Sequence, residues 1–522
     1  MMSVARRGSP VITLVITCIG MFLVLLDASS ISVALPTIQI NLHTSLPDLQ
    51  WVIDAYTLPF AVLLLTANAL GERFGRKRLF LGGLLLFLLG SLLCGFAPTF
   101  NWLLAGRLVQ GMGAAALASG CFSLLLAAFP DPRARTRAIA MWGAGSGLAL
   151  PVGTLMSGIF IQIFNWPAIF FVNLPIGLLA LALAWPLLAE SRPPTSQRID
   201  LAGLLLLTGW LTCLIVAMIA SSSQGWTSPL ILGLLVSSVL LLIVFLVVEA
   251  RVREPMFPVR LFGNRVFSVA QIGGLMHGFA AIGTIFFFTQ YFQEIQGYTV
   301  LQASLCTLPI SAGAFLISPF AARLAAARLG PRLPIVLGAL FSAVSLLLLV
   351  RLSPDSSYAL LWWQMGLLGF GVGCMLGPLN MAMLSATPPT QTGIGASMMN
   401  TSRQVGAALG VAVLGAFVTQ QFSQNIVSQF TQRGVSSAAI AEKLANSGAL
   451  ANHLHLVGQL ALPQTALDQA FVDALHGAFL IAGIGLLIIA VLVAFSLYQK
   501  QRQTSSNVEV AETQEKAMAS VI

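Results

Sequence analysis

Long apolar segments recur from one end of the chain to the other, and they restrict its fold more than any other feature. Of the 522 residues, 57% are hydrophobic and only 8% are charged, whereas a soluble domain carries about 25% charged residues. Inside a bilayer such segments must be helices, because a helix satisfies its own backbone hydrogen bonds. The sequence therefore predicts an all-α integral membrane protein. Fourteen spanning helices are expected near residues 11–36, 50–70, 79–97, 101–128, 138–163, 167–189, 200–221, 228–249, 266–292, 301–321, 334–352, 358–385, 391–420 and 471–497.

The basic residues are distributed unevenly among the connections between these segments. The net charge is +9, and with the N-terminus inside the cell most lysines and arginines fall in cytoplasmic connections. This positive-inside bias predicts that both termini are cytoplasmic and that the basic loops contact anionic lipid. It also argues against nucleic acid as a partner. The six cysteines are widely spaced, so no metal site is predicted.

The order of segments and connections predicts six helices, then two, then six. The first six and the last six would form two pseudo-symmetric bundles, and the middle pair would be inserted between them. The polar C-terminal tail is expected to be disordered. The predicted parts are a first bundle at 1–190, an inserted pair at 191–250, a second bundle at 251–500 with a linker at 251–265 and an outside loop at 421–470, and a cytoplasmic tail at 501–522.

Three ionisable residues lie inside apolar segments, where a charged side chain costs about 2.5–3.5 kcal/mol on insertion scales. Asp27 lies sixteen residues after Val11, which places it roughly 6 Å from the outer face at 1.5 Å per residue. The same reasoning places Asp54 at about 6 Å and Arg107 at about 9 Å from that face. We therefore expect the three groups to share an outward cavity. A buried carboxylate can bind a proton or a cation, so Asp27 and Asp54 are candidate binding residues.

A basic turn follows the second segment, where residues 68–78 read NALGERFGRKR. Glu72 can pair there with Arg73 or Arg76. The turn resembles the loop 2–3 signature of the major facilitator superfamily, although Asn68 and Glu72 replace the usual Gly and Asp. In that family the loop latches the two halves together. The resemblance implies conformational gating by Gly71, Glu72, Arg73, Gly75 and Arg76.

Two further motifs strengthen the resemblance. Residues 104–115 read LAGRLVQGMGAA and match the superfamily's helix 4 signature, which implies that Arg107 takes part in proton coupling. Residues 26–36 read LDASSISVALP and look like the helix 1 signature of the fourteen-span drug:proton antiporter branch. By this resemblance Asp27 couples protons and binds substrate, and Asp54 and Tyr56 in the following LQWVIDAYTL add to the substrate site.

The fifth segment carries a small-residue stripe for close helix packing, in MWGAGSGLALPVGTLMSG. It resembles the antiporter signature of helix 5, with Thr154 and Ser157 in place of Pro and Gly. Pro151 is expected to supply the kink instead. The implied gating residues are Gly147, Pro151 and Gly153.

The second half is rich in methionine, which suits an adaptable apolar pocket. From this half Phe287, Met375 and Asn400 complete the expected substrate site. His277, near the middle of the ninth segment, is a lone histidine that could titrate near neutral pH.

No phosphate loop, catalytic triad order or dinucleotide fingerprint is found, so the sequence predicts a transporter and not an enzyme. The expected function is proton-coupled efflux of amphipathic, cationic drugs, antiseptics or dyes across the bacterial plasma membrane. Protons, small-molecule substrates and membrane lipids are the expected partners, no cofactor is required, and a monomer is expected. Two alternatives stay open: a same-fold exporter of an anionic, neutral or lipid-like solute, and a non-transporting scaffold or receptor.

Overall fold

The structure is a computed structural model that describes residues 9–191, 200–252, 255, 257–326, 330–388, 391–432 and 464–519. Fourteen helices in these ranges are long and apolar enough to cross a membrane, which confirms the predicted count. They are α1 (Pro10–Leu42), α2 (Leu46–Phe74), α3 (Arg76–Gly95), α4 (Phe100–Ala128), α5 (Pro132–Gly147 and Ala149–Phe164), α6 (Ala168–Phe171 and Asn173–Leu187), α7 (Leu201–Gln224), α8 (Pro229–Arg251), α9 (Arg265–Gln290), α10 (Val300–Leu324), α11 (Arg332–Leu348), α12 (Tyr358–Ala386), α13 (Thr392–Gln432) and α14 (Gln464–Ala519).

Two of these helices are broken, and proline accounts for both breaks. A proline has no amide proton and collides with the carbonyl four residues earlier. In α5 the interruption at Leu148 lies just before Pro151, where the sequence predicts a kink. In α6 the break at Val172 precedes Pro175 in the same way. This second break places Asn173 at the start of a helical segment in the middle of the bundle.

The helices pack as two bundles with an inserted pair, as the sequence predicts. Helices α1–α6 contact one another, and α9–α14 do the same. The bundles meet where α2 packs on α13, where the second half of α5 packs on α10, and where α1 touches α9. Helix α7 lies beside this junction, against both α2 and α13, whereas α8 packs mainly on α7.

Several helices extend beyond their predicted ends. Helix α1 continues past Pro36 to Leu42, because a proline near the end of a long helix bends it without ending it. Helices α13 and α14 extend into both ends of the predicted outside loop 421–470. The centre of that loop, residues 433–463, lies outside the described residues.

The predicted disordered tail at 501–522 is wrong as far as Ala519, since α14 continues to that residue. The chain contains no proline or glycine after Gly485, and the tail is rich in Ala, Glu and Gln. These residues favour helix, and extending an existing helix avoids the cost of nucleating a new one.

Candidate functional site

A buried ion pair lies at the centre of the N-terminal bundle. Arg107 Nη1 on α4 lies 2.6 Å from Asp27 Oδ2 on α1. The two side chains are 1% and 2% exposed, so neither charge is solvated and each neutralises the other. Because a buried charge without its partner is strongly destabilising, the pair holds α1 and α4 together.

Amide side chains from α4 and α6 complete the coordination of Asp27. Its Oδ1 accepts hydrogen bonds from Gln110 Nε2 at 2.7 Å and from Asn173 Nδ2 at 3.2 Å. Both of these amides also donate to Ser91 Oγ on α3. The Asp27 network therefore joins α1, α3, α4 and the broken helix α6, and both carboxylate oxygens have partners in this conformation.

The guanidinium of Arg107 is held from three further directions. Its Nε donates to the carbonyl oxygen of Val52 on α2 at 3.1 Å, and its Nη1 also donates to Gln110 Oε1 at 2.8 Å. The ring of Tyr56 faces the guanidinium at 4.3 Å, close enough for a cation–π contact. Since Val52 and Tyr56 both belong to α2, a movement of Arg107 would act directly on the helix that packs against the second bundle.

Asp54 lies on a different face of α2, between the two bundles. Residues 50, 54, 57 and 61 share one helix face at i, i+4, i+7 and i+11. Gly415 of α13 packs so closely on Gln50 that an added Cβ would collide with it. Thr401 Oγ1 of α13 donates to the carbonyl oxygen of Ala61 at 3.2 Å. Asp54 lies between these contacts and is fully buried. Its Oδ1 accepts from Thr57 Oγ1 at 3.1 Å, and its Oδ2 has no partner.

The depths of the acids differ from the expected arrangement. Because α1 ends at Leu42 rather than near Pro36, Asp27 lies about 22 Å from that end and about 26 Å from the other. It is therefore in the middle of its helix, not near the outer face. Asp54 lies about 12 Å from the start of α2. Arg107 meets Asp27 directly, but Asp54 faces the other bundle, so the three groups do not share one cavity in this conformation.

Helix α5 packs directly on α1 beside the Asp27 network. Ser30 Oγ donates to the carbonyl oxygen of Gly153 at 3.3 Å, and Ser29 Oγ donates to that of Ala149 at 3.4 Å. A Cβ at Gly153 would lie 2.8 Å from the carbonyl oxygen of Leu26. Gly153 therefore permits the close helix contact, and Gly147 and Pro151 flank the break at Leu148.

The turn between α2 and α3 is attached to the end of α6. Gly75 has φ +112°, a backbone conformation that residues with a side chain rarely adopt. Glu190 Oε1 accepts from the Lys77 amide at 3.1 Å, and Lys77 Nζ donates to the carbonyl oxygens of Trp185 and Leu188. Arg78 lies 3.9 Å from the second oxygen of Glu190. In this conformation these hydrogen bonds and this ion pair lie within the first bundle, whereas Asn68 at the start of the basic turn lies near Gly393 of α13.

Glu72 forms no contact ion pair with Arg73 or Arg76 among the described residues, although the charges of Glu72 and Arg76 act on each other. The acid that the basic turn uses is Glu190, which the sequence analysis did not select. Glu190 lies at the end of the sixth segment, on the same side of the membrane as the basic turn. This position could have indicated the contact. The nearby Gly71 packs against Leu79 of α3.

The expected substrate residues of the second bundle lie in two places. Phe287 and Met375 are 0% and 1% exposed and belong to its apolar core. Asn400 lies one turn before Arg403 on α13 and accepts a hydrogen bond from its guanidinium. His277 on α9 is buried and its Nδ1 has no partner.

Arg403 differs from Arg107 in having no acid beside it. Among the ion pairs of the described residues none includes Arg403. The second bundle therefore presents an intramembrane cation that is not neutralised by a carboxylate, next to a polar patch of Gln271, Ser402 and Asn400.

Comparison with known proteins was made for the sequence and for the fold. The family model of the Major Facilitator Superfamily matches residues 17–411. The chain is 32% identical over 481 residues to the multidrug resistance protein Stp of Mycobacterium tuberculosis, covering 90% of this chain and 89% of that protein. It is 30% identical over 499 residues to the tetracenomycin C resistance and export protein of Streptomyces glaucescens, covering 94% and 92% of the two chains.

A third relative is the puromycin resistance protein pur8 of Streptomyces alboniger, which is 36% identical over 409 residues and covers 78% of this chain and 81% of its own. Among solved structures, a bacterial homologue of the human lysosomal transporter Spinster superposes with a TM-score of 0.61 at 18% identity, covering 93% and 96% of the two chains. The fold of the structure is thus the one that the family match implies.

Proposed function

The chain belongs to the Major Facilitator Superfamily, and on that basis we propose that it exports amphipathic, cationic drugs by alternating access in exchange for protons. Relatives that match most of its length are resistance and export proteins, which supports a transporter over a scaffold or receptor. The observation that carries proton coupling is the buried Asp27–Arg107 pair with its complete set of hydrogen bonds.

Asp27 is the proposed proton-binding group. A proton on Asp27 would remove its charge and leave Arg107 buried without a counter-ion, which costs about 3–5 kcal/mol in soluble proteins. Arg107 would then move toward water or another acceptor. Because Arg107 also holds the Val52 carbonyl and faces Tyr56, this movement would shift α2 against the second bundle. Proton binding and the change between inward-open and outward-open states are thereby linked.

Asp54 is the proposed first contact of a cationic substrate. Both oxygens of Asp27 have partners, so a cation must displace Arg107 or an amide to reach it. Asp54 has an unpartnered oxygen on the α2 face that meets α13. A buried polar atom without a partner is costly, and a substrate ammonium group would supply that partner. Tyr56, Phe287, Met375 and Asn400 remain the proposed apolar and polar lining.

The proposed setting is the bacterial plasma membrane, with both termini in the cytoplasm, and the protein acting as a monomer. The proposed boundaries are 1–190, 191–250 and 251–500. The gating role of Gly71, Glu72, Arg73, Gly75, Arg76, Gly147, Pro151 and Gly153 is part of the same proposal. The energy source is the proton gradient, with no cofactor.

Dye efflux from inverted membrane vesicles tests the division of roles. We expect Asp27→Asn to abolish ethidium transport driven by a proton gradient. We expect Asp54→Asn to weaken transport of cationic dyes and to leave that of neutral substrates unchanged. Asp355→Asn, at an exposed acid, is the matched control. Normal ethidium transport by Asp27→Asn, or transport that requires sodium and ignores a proton uncoupler, would refute proton coupling through Asp27.

Arg403 favours a second candidate function, the export of an anionic solute. A cation without an acid partner beside Asn400 could hold a substrate carboxylate or phosphate. A panel of cationic, neutral and anionic substrates separates the candidates. If Arg403→Gln weakens only the transport of anions, and anions are the better substrates of the wild type, the second candidate replaces the first.

A further inference from the structure

A second pair of acids, outside the transport site, lies at one end of the inserted helix pair. Asp200 precedes α7 and Glu249 lies in the last turn of α8. Asp200 and Glu249 are only 9% and 2% exposed. Each carboxylate uses one oxygen to accept a backbone hydrogen bond: Asp200 Oδ1 from the Gly203 amide at 2.8 Å, and Glu249 Oε2 from the Phe257 amide at 3.1 Å.

The two remaining oxygens, Asp200 Oδ2 and Glu249 Oε1, are buried and have no partner. They face the same small space, because a Cβ built on Gly203 would lie 2.5 Å from Glu249 Oε1 and 2.8 Å from Asp200 Oδ2. Gly203 is therefore what leaves room between the two carboxyl groups. Two carboxylates so close in a water-poor site repel each other and do not both stay ionised.

We propose that Asp200 and Glu249 form a proton-binding site, separate from the Asp27 network, in which one proton is shared between the two carboxyl groups. One shared proton gives both unpartnered oxygens a hydrogen bond, because the protonated acid donates to the ionised one. A metal ion is a poorer fit, because cations such as Ca²⁺ and Mg²⁺ require about six oxygen ligands. No cluster of three or more acids, histidines or cysteines occurs in the described parts of the chain.

The site is placed to control how the linker is attached. The Glu249 carboxylate holds the backbone of Phe257, whose ring packs on Phe245 of α8 at 5.6 Å and on Phe262 at 5.3 Å. Phe262 in turn packs on Phe267 of α9 at 5.3 Å. With the proton bound, the inserted pair is tied to the second bundle through this aromatic chain. When the proton leaves, two like charges push α7 and α8 apart at this end, and the attachment loosens.

Among the residues that the structure describes, few other groups act on this pair. From α7 the group that faces Glu249 is Asp200, and from the linker it is the Phe257 amide. Asp200 is the one titratable group of the described residues whose charge acts appreciably on Glu249. The proton is therefore governed by the two acids themselves, at the end of the inserted pair that is predicted to face the cytoplasm.

Proton release from the purified full-length protein in a lightly buffered detergent solution tests this inference. On raising the pH from about 5 to about 8, the wild type should release about one proton more per chain than Glu249→Gln, since the glutamine amide donates to Asp200 and replaces the shared proton. The variant Gly203→Ala, which places a methyl group between the acids, should release that proton at lower pH than the wild type.

Asp355→Asn is the control, because it removes an exposed acid far from the pair in sequence and should leave the difference unchanged. If Glu249→Gln does not fold, Asp200→Asn makes the same comparison. Equal proton release by wild type and variant would overturn the inference. So would a difference that disappears when choline chloride is replaced by sodium chloride, because a metal cation would then occupy the site. None of these variants touches Asp27, so their outcome is independent of the transport proposal.

Discussion

Asp27 and Arg107 can remain charged inside the bundle only because each compensates the other. Their contact at 2.6 Å is reinforced by Gln110 and Asn173. The proposed coupling to protons rests on this arrangement, since changing the charge of one member changes the free energy of the other. Stability measurements can therefore reveal the pair even without a transport assay.

Removing Arg107 alone should destabilise the protein more than removing the whole pair. We expect Arg107→Met to lower the free energy of unfolding by about 3–5 kcal/mol, because it leaves Asp27 buried and unpaired. Adding Asp27→Asn to that variant should restore part of the loss. Unfolding midpoints in detergent provide the comparison. A double variant less stable than Arg107→Met would show that Asp27 is not compensated by this arginine.

Sequence reasoning selected Asp27 and Arg107 because each is ionisable within an apolar segment. It missed Asn173, which is polar within the sixth segment and stands two residues before Pro175. That spacing was a usable signal, since a proline breaks a helix one turn earlier and exposes the residues there. What no pattern supplied was the rotation of α6 that aims Asn173 at Asp27.

Helices α1 and α5 approach closely because Gly153 has no side chain. The same helix contains Gly143, where an added Cβ would touch nothing within 4 Å. The two positions are therefore a matched pair for testing whether close packing at the Asp27 network matters.

Gly153→Ala should destabilise the protein by about 1–3 kcal/mol and impair transport, because the methyl group collides with Ser29 and Leu26. Gly143→Ala should be neutral or slightly stabilising, since alanine favours helix by up to about 1 kcal/mol. Unfolding midpoints and dye efflux measure both effects. If the two variants have the same unfolding midpoint and the same dye efflux, close packing of α1 on α5 is not required for stability or transport.

Hydrophobic runs predicted the existence of every spanning helix, but not every end. A hydrophobic run marks only the part of a helix that lies in the hydrocarbon core of the membrane. Helices α1 and α13 extend well beyond their runs through polar residues such as Gln39 and Gln424. The close α1–α5 packing was foreseeable from the small-residue stripe. The position of Glu190 at the end of the sixth segment made it a candidate partner of the basic turn but did not single it out, because an exposed loop can reach several acids at similar cost.

Across the whole molecule, the bundles are in contact near the end where α1 stops and α2 begins. Gln293 Nε2, in the π-helical turn after α9, donates to the carbonyl oxygen of Val33 at 3.1 Å, and a Cβ at Gly158 of α5 would touch Ser304 of α10. This end is predicted to be extracellular. If alternating access operates, these contacts must break in every cycle.

A disulfide across this contact should therefore stop transport. We expect Gly158→Cys combined with Ser304→Cys, where the two Cβ positions are close enough for a disulfide, to reduce efflux about tenfold or more when oxidised and to recover on reduction, in a background without the native cysteines. The control pair is Asn41→Cys with Asn165→Cys, which joins α1 to the end of α5 within one bundle, where the two amides lie 3.2 Å apart. Undiminished efflux by protein in which the Gly158→Cys and Ser304→Cys disulfide has formed would show that these contacts need not open.

The two-bundle arrangement could be anticipated from segment order and from the resemblance to a known superfamily. The separation of Asp54 from Asp27 could not, because helical spacing fixes which residues share a face but not which neighbour that face meets. Asp54 turned out to face α13, whereas Arg107, with a similar depth estimate, faces α1. In the proposed mechanism, this separation lets Asp27 bind protons while Asp54 binds substrate.

Substrate-driven proton movement in liposomes decides whether the buried pair couples the two fluxes. Purified protein is reconstituted with a pH indicator inside, and a cationic drug is added under conditions without a membrane potential. The wild type and the exposed-acid control Asp355→Asn should both move protons against the direction of the drug, whereas Asp27→Asn should bind the drug and move none. Drug-driven proton movement by Asp27→Asn at the wild-type rate would show that the proton is carried elsewhere.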